Sequence, residues 1–269
     1  MEASDPVVSI RGLRFAYGRR PVLKGLDLDI PAGKISAILG TSGSGKSTLL
    51  QLIGGLTRPA SGEVRVLGEN VPTLDAAGLL ALRRRMGMMF QLGGLFSDLS
   101  VFENIAFPMR EHTQLPEAII HDLVLMKLNA VGLRGAAELR TAELSGGMSR
   151  RVALARAIAL DPELIIYDEP FAGLDPITLN VICNLIRTLN DALGATSVVV
   201  SYDVQEAAKL AEYIYLLNDG AIVAHGPTDE MLASQDPFVH QFLHAEPDGP
   251  VRFHYPAPPI CQELEMAGR

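Results

Sequence analysis

The residue types best suited to chemistry stand together near the amino terminus, in the run Gly40-Thr41-Ser42-Gly43-Ser44-Gly45-Lys46-Ser47-Thr48. Glycines let the backbone curl, so that several N–H groups point at one anion. A lysine adds a positive charge for the outer phosphates of a nucleotide, and the hydroxyl of Ser47 is a ligand suited to Mg²⁺. The spacing of Gly40, Gly45, Lys46 and Ser47 matches a phosphate-binding loop.

A second chemical pair, Asp168 and Glu169, follows the apolar run 164–167. The run reads as a buried parallel strand, and ligands bind at the carboxyl ends of such strands. Two adjacent acids there are costly to desolvate unless a cation or a substrate meets them. Asp168 is suited to hold Mg²⁺, and Glu169 is suited to polarise an attacking water.

The elements that must position these groups follow from the hydrophobic pattern. The phosphate-binding loop lies between a strand at 35–39 and a helix that begins near residue 49. Further strands are expected at 7–15, 27–30, 62–67 and 197–200, and Asn218-Asp219-Gly220 predicts a hairpin turn within 213–223. Helical patterns cover 79–85 and 177–193, and 115–159 is predicted to be a helical lobe inserted in an α/β core, with helices at 118–131 and 145–159.

Two apolar features keep open interpretations. The segment 92–105 is predicted to be loop-like, and its apolar side chains suit either an exposed docking surface or core beneath a loop. Tyr17, on a predicted turn upstream of the phosphate-binding loop, suits either stacking on a purine or an ordinary structural role.

Composition narrows the class of protein. The 269 residues include 23 Lys and Arg against 31 Asp and Glu, so the net charge of -8 argues against a nucleic-acid partner. The two cysteines, Cys183 and Cys261, lack metal or redox spacing and are expected to be reduced. No apolar run reaches the roughly 20 residues of a membrane span and no signal peptide is apparent, so we expect a soluble protein.

The run Leu144-Ser145-Gly146-Gly147-Met148 adds a family resemblance. With the phosphate-binding loop, Gln91, Asp168-Glu169 and Asp175, it resembles the ATPase cassettes of ABC transporters across roughly residues 7–245. The fold class implied is α/β: a P-loop NTPase (RecA-like) ABC cassette with an antiparallel β subdomain and an inserted all-helical subdomain. The domains expected are 1–90 and 160–244 for the core, 91–159 for the helical subdomain, and 245–269 for a proline-rich tail that suits partner docking.

The resemblance also implies roles for individual residues. Ser145, Gly146 and Gly147 would meet the γ-phosphate of an ATP held by a second copy of the chain, giving a head-to-tail dimer that encloses two ATP molecules. Asp175 would cross that dimer interface, Gln91 would contact Mg²⁺, and Tyr17 would stack on adenine. Tyr202 stands where the family usually has a γ-phosphate-contacting histidine, so we expect ATP binding with slowed hydrolysis.

Further stretches, 110–116, 131–137, 248–251 and 255–257, resemble the ATPase subunits of the Mla phospholipid transport systems of Gram-negative bacteria. The partners implied are an MlaE-type membrane permease, an MlaB-type STAS protein and a lipid-binding MCE protein. The location implied is the cytoplasmic side of the inner membrane, reached through the permease.

Other functions stay open at this point. One is an ATP-dependent dimer clamp that barely hydrolyses, motivated by Tyr202. A second is an ABC ATPase for another hydrophobic cargo. A third is a soluble ABC ATPase acting on nucleic acid, which the single cassette and the negative charge disfavour.

Overall fold

The computed structural model describes residues 5–91 and 93–251, which form two compact units, 5–228 and 229–251. Phe253 and Tyr255, two aromatic residues of the tail expected to suit partner docking, lie outside the described residues. The strands in the described ranges are β1 (Val8–Tyr17), β2 (Arg20–Ile30), β3 (Ile35–Gly40), β4 (Ser61–Val66), β5 (Glu69–Asn70), β6 (Met86–Met89), β7 (Leu164–Asp168), β8 (Thr196–Ser201), β9 (Tyr213–Asn218) and β10 (Ala221–Pro227). The α-helices there are α1 (Lys46–Ile53), α2 (Ala76–Arg84), α3 (Val101–His112), α4 (Glu117–Ala130), α5 (Gly146–Ala157), α6 (Pro176–Leu193), α7 (Val204–Leu210), α8 (Thr228–Leu232) and α9 (Pro237–His244).

A six-stranded sheet in the order β10-β9-β3-β8-β7-β6 forms the centre of the first unit. Its strands run parallel except for the edge strand β10, which is antiparallel to β9. Every residue of β3 and β8 is buried, as expected for continuous apolar strands covered on both faces. The predicted strands at 35–39, 164–167 and 197–200 are therefore confirmed, and the carboxyl ends of β3, β7 and β8 share one edge.

A separate four-stranded antiparallel sheet has the order β2-β1-β4-β5. One hydrophobic cluster joins both sheets and α1, because Val8, Ile30 and Val64 from this sheet are buried together with Ile38 and Leu52. The antiparallel β subdomain expected from the sequence is present.

The turn between β9 and β10 connects the two sheets. Asp219 and Gly220 have φ angles of 46° and 79°, the left-handed pair that an Asx-Gly hairpin turn requires. The Gly220 carbonyl accepts a bond of 3.0 Å from the Lys24 N–H of β2, and the Gly220 N–H donates to the Ser44 carbonyl at 3.2 Å. The hairpin tip thus touches both the antiparallel sheet and the phosphate-binding loop.

The helical lobe contains α3, α4 and α5, and α3 corrects one expectation. The segment 92–105 was predicted to be loop-like, but α3 begins at Val101, with Ser100 as its N-cap accepting a bond of 3.1 Å from the Glu103 N–H. The fully buried side chain of Asn104 holds the preceding loop: its Oδ1 accepts from Phe96 N at 2.8 Å, and its Nδ2 donates to Ser100 O at 2.9 Å. Each of the two interpretations of this segment holds for part of it. Val101 is buried in the core, whereas Phe96 is 41% exposed and belongs to the surface.

The second unit contains most of α8 and all of α9. Gln241 on α9 holds the backbone of Val251, donating to its carbonyl at 2.9 Å and accepting from its N–H at 2.8 Å. No helix in residues 5–91 and 93–251 is both long enough and apolar enough to cross a bilayer.

Candidate functional site

The loop between β3 and α1 has the conformation that its glycines allow. Gly43 and Gly45 have φ angles of 78° and 110°, in the left-handed region that favours glycine. A Cβ on Gly45 would also lie 2.8 Å from Leu23 Cδ2, and one on Gly40 would overlap the Leu217 carbonyl. The glycines therefore allow a tight curl of the backbone that side chains would prevent, and such a curl suits the binding of an oxyanion by backbone N–H groups.

A cavity of about 270 Å³ opens beside this loop. Tyr17 and Tyr202 contribute rings to the lining, and both are about half exposed, at 53% and 50%. The ring of Tyr17, the last residue of β1, packs edge-on against Phe15, and its hydroxyl donates to Gln51 Oε1 at 3.1 Å. The remaining lining residues come from β2 and from the loop and helix α1: Arg20, Val22, Gly43, Gly45, Lys46, Ser47 and Thr48. Aromatic rings and phosphate-binding groups therefore share one opening.

Lys46 is buried and points back into its own loop. Its Nζ donates to the Gly40 carbonyl at 2.7 Å and to the Thr41 carbonyl at 3.1 Å. Burial lowers the pKa of Lys46 to about 8, while the nearby charges of Glu169 and Asp168 act in the opposite direction. The ammonium is consequently charged at neutral pH, and its hydrogen-bond partners among the described residues are neutral carbonyls. It is therefore able to pair with the negative charge of a phosphate.

The two oxygens of the Glu169 carboxylate differ. Oε2 accepts from the Tyr202 N–H at 3.1 Å and from the Ser201 hydroxyl at 3.3 Å, whereas Oε1 is buried without a partner in the described part of the chain. Glu169 also has a φ angle of 48°, a strained backbone conformation for a non-glycine residue. One oxygen is thus anchored at the end of β8, and the other has its full capacity to accept a proton or orient a water.

Burial raises the pKa of Glu169, and the bond from the Tyr202 backbone N–H opposes that shift. Burial likewise raises the pKa of Asp168, while the positive charges of Lys46 and then Arg150 oppose it. Both carboxylates therefore belong to the same charged neighbourhood as the phosphate-loop lysine. This is the juxtaposition of Lys46, Asp168 and Glu169 that the sequence predicted.

Tyr202 makes a contact that its sequence position did not suggest. The Nζ of Lys46 lies 3.6 Å from the centroid of the Tyr202 ring, within the range of a cation–π interaction. The ring therefore covers the ammonium group on the side of the cavity.

The residues assigned to the partner's nucleotide form a second group, which does not line this cavity. Ser145 is the exposed N-cap of α5, and its hydroxyl accepts from the Met148 N–H at 3.3 Å. Asp175 caps α6, and a bond of 2.5 Å from the Thr178 hydroxyl leads the causes that lower the pKa of its carboxylate. The starts of the two helices are in contact, since a Cβ on Gly147 would lie 2.6 Å from Thr178 Cγ2.

The candidate magnesium ligands are a hydroxyl, an amide and a carboxylate, on Ser47, Gln91 and Asp168. All three supply oxygen, which Mg²⁺ prefers, and the half-buried Asp168 supplies the negative charge. No cluster of three His, Cys, Asp or Glu side chains suited to a metal occurs in residues 5–91 and 93–251, so a cation here needs the hydroxyl and the amide as well. The donor chemistry fits Mg²⁺. Ser47 lines the nucleotide cavity, and Gln91 is exposed just after β6.

Four residues that matter for the site were not assigned a role from the sequence. Arg20 and Val22 line the cavity, Ser201 holds Glu169, and Arg150 acts electrostatically on both carboxylates. Arg20 carried a usable signal, because it is a basic residue three positions after Tyr17, at the start of β2. The other three depend on contacts between segments distant in sequence.

Comparison with known proteins agrees with this geometry. The family model described as ABC transporter matches residues 23–172. The intermembrane phospholipid transport system ATP-binding protein MlaF of Haemophilus influenzae is 54% identical over 258 residues, covering 96% of this chain and 98% of the relative. The protein of the same name from Escherichia coli is 54% identical over 251 residues, covering 93% of each chain.

Among solved structures, a dimeric ATP-binding cassette in a post-hydrolysis state with ADP and Pi superposes with a TM-score of 0.75 at 33% identity, covering 82% of this chain and 98% of that one. The predicted P-loop ABC cassette is thereby confirmed as the fold class. The chain, with its phosphate-binding loop and its pair of strand-end carboxylates, belongs to the ABC transporter family as one of its nucleotide-binding ATPase subunits.

Proposed function

We propose that this ATPase drives phospholipid movement between the inner and outer membranes, as a peripheral subunit on the cytoplasmic side of the inner membrane. The 54% identity to MlaF proteins over nearly the whole chain supports the cargo and the location. The observation that carries the ATPase mechanism is the Glu169 carboxylate, with one oxygen anchored and the other buried and unpaired within the described residues.

In the proposed mechanism, a water attacks the γ-phosphorus of ATP in line with the departing β-phosphate oxygen. Oε1 of Glu169 orients that water and accepts its proton as the new P–O bond forms and the bond to the β-phosphate oxygen breaks, while Oε2 stays bound to Tyr202 N and Ser201 Oγ. The ammonium of Lys46 exchanges its carbonyl partners for phosphate oxygens, and the loop N–H groups stabilise the charge that develops on them. Adenine stacks on Tyr17 at the other part of the cavity.

The resting contacts of Lys46 are replaceable. They are two carbonyls and a ring face, all neutral, so a phosphate oxygen that carries negative charge is the stronger partner. Of the loop hydroxyls, Ser42 and Ser47 are exposed, whereas Ser44 and Thr48 are buried. The exposed pair is accessible to a ligand without any rearrangement of the loop.

Ser47, Gln91 and Asp168 would hold Mg²⁺. Bound there, the cation would neutralise phosphate charge and keep the phosphates aligned. Burial raises the pKa of Asp168 while Lys46 and Arg150 oppose that shift, and a cation bound there would favour the charged carboxylate.

A second copy of the chain would complete each site. Ser145, Gly146 and Gly147 stand at the amino end of α5, a 12-residue helix whose first N–H groups and dipole favour an anion. Ser145 and Gly146 are exposed, as is Asp175 on the neighbouring helix cap, so the surface is accessible to a partner. The dimeric cassette among the structural neighbours supports a pair in which each copy caps the nucleotide of the other.

The permease would dock in a groove of about 350 Å³, whose apolar part we define by Met86, Met88, Phe90, Phe96 and Phe107; Arg83, His112 and Arg156 also line it. Its three phenylalanines are each more than 40% exposed, an unusual amount of aromatic surface for one place. The groove joins β6, which leads to Gln91, with α3 of the helical lobe. A helix of an MlaE-type permease seated there would contact both the nucleotide core and the lobe.

Phe96→Glu would test this surface. We expect the variant to keep its ATPase activity as a purified chain and to lose co-purification with the permease, because a charge would replace an apolar contact. Val223→Glu is the matched control, since Val223 is 48% exposed on β10 and lies outside the groove. Equal recovery of the permease with both variants would contradict the docking site.

The whole proposal is tested by purifying the complex from membranes, followed by lipid analysis and a steady-state ATPase assay. We expect an MlaE-type permease, an MlaB-type STAS protein and an MCE protein to accompany the chain, with phospholipid bound to the complex. A different hydrophobic cargo in an ATP-hydrolysing complex would retain the ATPase mechanism and overturn the phospholipid assignment.

One observation favours a second candidate, an ATP-dependent clamp that hydrolyses slowly. The centroid of the Tyr202 ring lies 3.6 Å from the ammonium of Lys46, at the position where the family usually has a histidine. For a clamp of this kind, Tyr202→His raises turnover at saturating ATP. Unchanged turnover in that variant would remove the case for a clamp.

A further inference from the structure

Arg150, on the helix that Ser145 begins, contacts the loop that follows Glu169. Its Nη2 donates to the carbonyl of Ala172 at 3.2 Å. Its Nη1 is buried and has no hydrogen-bond partner within residues 5–91 and 93–251. A buried guanidinium nitrogen without a partner costs free energy of folding. This cost indicates a role for Arg150 other than the stability of the isolated chain.

A second contact joins the same two parts of the protein. Gly147 packs so closely on Thr178 that a Cβ would come within 2.6 Å of the threonine methyl. Thr178 in turn donates its hydroxyl to Asp175, at the end of the loop. The loop 169–175 is therefore attached to α5 at Ala172 through Arg150 and at Asp175 through Thr178.

The charge of Arg150 also acts on the catalytic carboxylates. Burial lowers the pKa of Arg150, and the charges of Glu169 and then Asp168 oppose that shift. Arg156, six positions further along the chain, instead donates to the carbonyls of Gly94 and Gly93 at 2.7 and 3.2 Å. Of these two arginines, Arg150 is therefore the one whose charge acts on the carboxylates of the nucleotide site.

We propose that Arg150 is a positioning residue, which ties the helix of Ser145 to the loop of Glu169 and so makes the two active sites of a pair depend on each other. When Ser145 of one copy engages the phosphates held by the other copy, any movement of α5 is passed through Arg150 to Ala172. It then reaches Glu169, whose carbonyl accepts a bond of 3.3 Å from the Ala172 N–H. The inference rests on the proposed pairing of two chains around ATP.

The test compares Arg150→Ala and Arg150→Lys in the full chain with Arg151→Ala as the matched control. Arg151 is the next residue of the same helix, but it donates to the Val131 carbonyl at 3.1 Å in the helical lobe. In hydrogen exchange without nucleotide, we expect the amides of residues 169–178 to exchange faster in Arg150→Ala, to be partly restored by lysine, and to be unchanged in Arg151→Ala.

In the ATPase assay, Arg150→Ala should lower kcat about tenfold or more while KM for ATP changes by less than about twofold, because the phosphate-binding loop is intact. Its dependence on ATP concentration should also lose any cooperativity that the parent displays. If Arg150→Ala fails to fold, its thermal stability and its affinity for ATP should fall together. Arg150→Lys is then the deciding variant, since lysine keeps the positive charge and can still donate a hydrogen bond.

Parental exchange of 169–178 in the best-folded Arg150 variant, or a parental kcat, would overturn the role of Arg150 while leaving the ATPase mechanism intact. If Glu169→Gln hydrolysed ATP as fast as the parent, the proposed ATPase mechanism would fail, independently of the hydrogen-exchange result for residues 169–178.

Discussion

The two tyrosines of the nucleotide cavity should have opposite effects on ATP affinity, and Tyr202→Ala is the sharper test. In the free chain, the Tyr202 ring lies over the Lys46 ammonium at 3.6 Å. Because Lys46 must turn toward the phosphates when ATP binds, this contact stabilises the free state and competes with the ligand. Removing the ring should therefore tighten nucleotide binding.

The size of the effect follows from the exposure of the two groups. Cation–π contacts contribute about 0.5–1 kcal/mol at exposed sites and about 2 kcal/mol when desolvated. Lys46 is 4% exposed but Tyr202 is 50% exposed, so we take about 1 kcal/mol. Since about 1.4 kcal/mol corresponds to tenfold in affinity, Tyr202→Ala should lower the Kd for ATP about fivefold.

The assay is calorimetric titration of the full chain with a non-hydrolysable ATP analogue near pH 7, where the Lys46 ammonium, with its pKa of about 8, is protonated. Tyr202→Phe keeps the ring and should bind like the parent. Tyr17→Ala should weaken binding several-fold, whereas Tyr17→Phe loses only the bond to Gln51. A weaker affinity in Tyr202→Ala would mean that the ring contacts the nucleotide, and the competition argument would then be wrong.

Three further outcomes are expected. Glu169→Gln should keep nucleotide affinity and lose about 10²–10⁴-fold in kcat, because the amide keeps the anchored oxygen but cannot take a proton; a parental rate would refute the base assignment. Nucleotide affinity should fall as pH rises above about 8, by at most about tenfold per unit, because the free ammonium of Lys46 then loses the proton that the phosphate-bound form keeps. Lys46→Arg stays protonated and should lack this fall, and titrations across pH check both chains. Asn104→Ala should cost about 2–3 kcal/mol in urea unfolding, since the backbone groups of Phe96 and Ser100 lose their bonds to this buried side chain, whereas exposed Asn129→Ala should change stability by less than about 0.5 kcal/mol.

Local signals were enough to predict the parts of the site that depend on neighbouring residues. The phosphate-binding loop is a short segment whose glycine φ angles and flanking strand are set within a few positions, so Gly43, Gly45 and Lys46 could be placed from the sequence. The strand that ends at Asp168 was equally clear, because a parallel strand buried on both faces is continuously apolar.

The beginning of α3 was missed for an identifiable reason. Glycine and aspartate residues precede it and Pro108 lies within it, and both features argue against a helix. The helix start was nevertheless encoded by Ser100 with Glu103 three positions later, a capping pattern that the apolar character of the segment obscured.

Other features could not be read from one sequence. The difference between the two oxygens of Glu169 depends on the end of β8, more than 30 residues away. The contact of Lys46 with Tyr202 and that of Arg150 with Ala172 likewise require the folded arrangement of separate segments. Residue type predicted which groups perform chemistry, and only tertiary packing determines which atom of each is available.

The hairpin tip at Asp219 and Gly220 has a practical consequence for labelling. Turns between antiparallel strands are usually tolerant places for an inserted tag or a fluorescent domain. Here Gly220 bonds at once to Lys24 and to Ser44, and a Cβ on it would overlap the Val22 carbonyl. A domain inserted at this turn would separate the strand that carries Val22 from the loop that carries Lys46. We therefore expect a reporter fused there to abolish nucleotide binding.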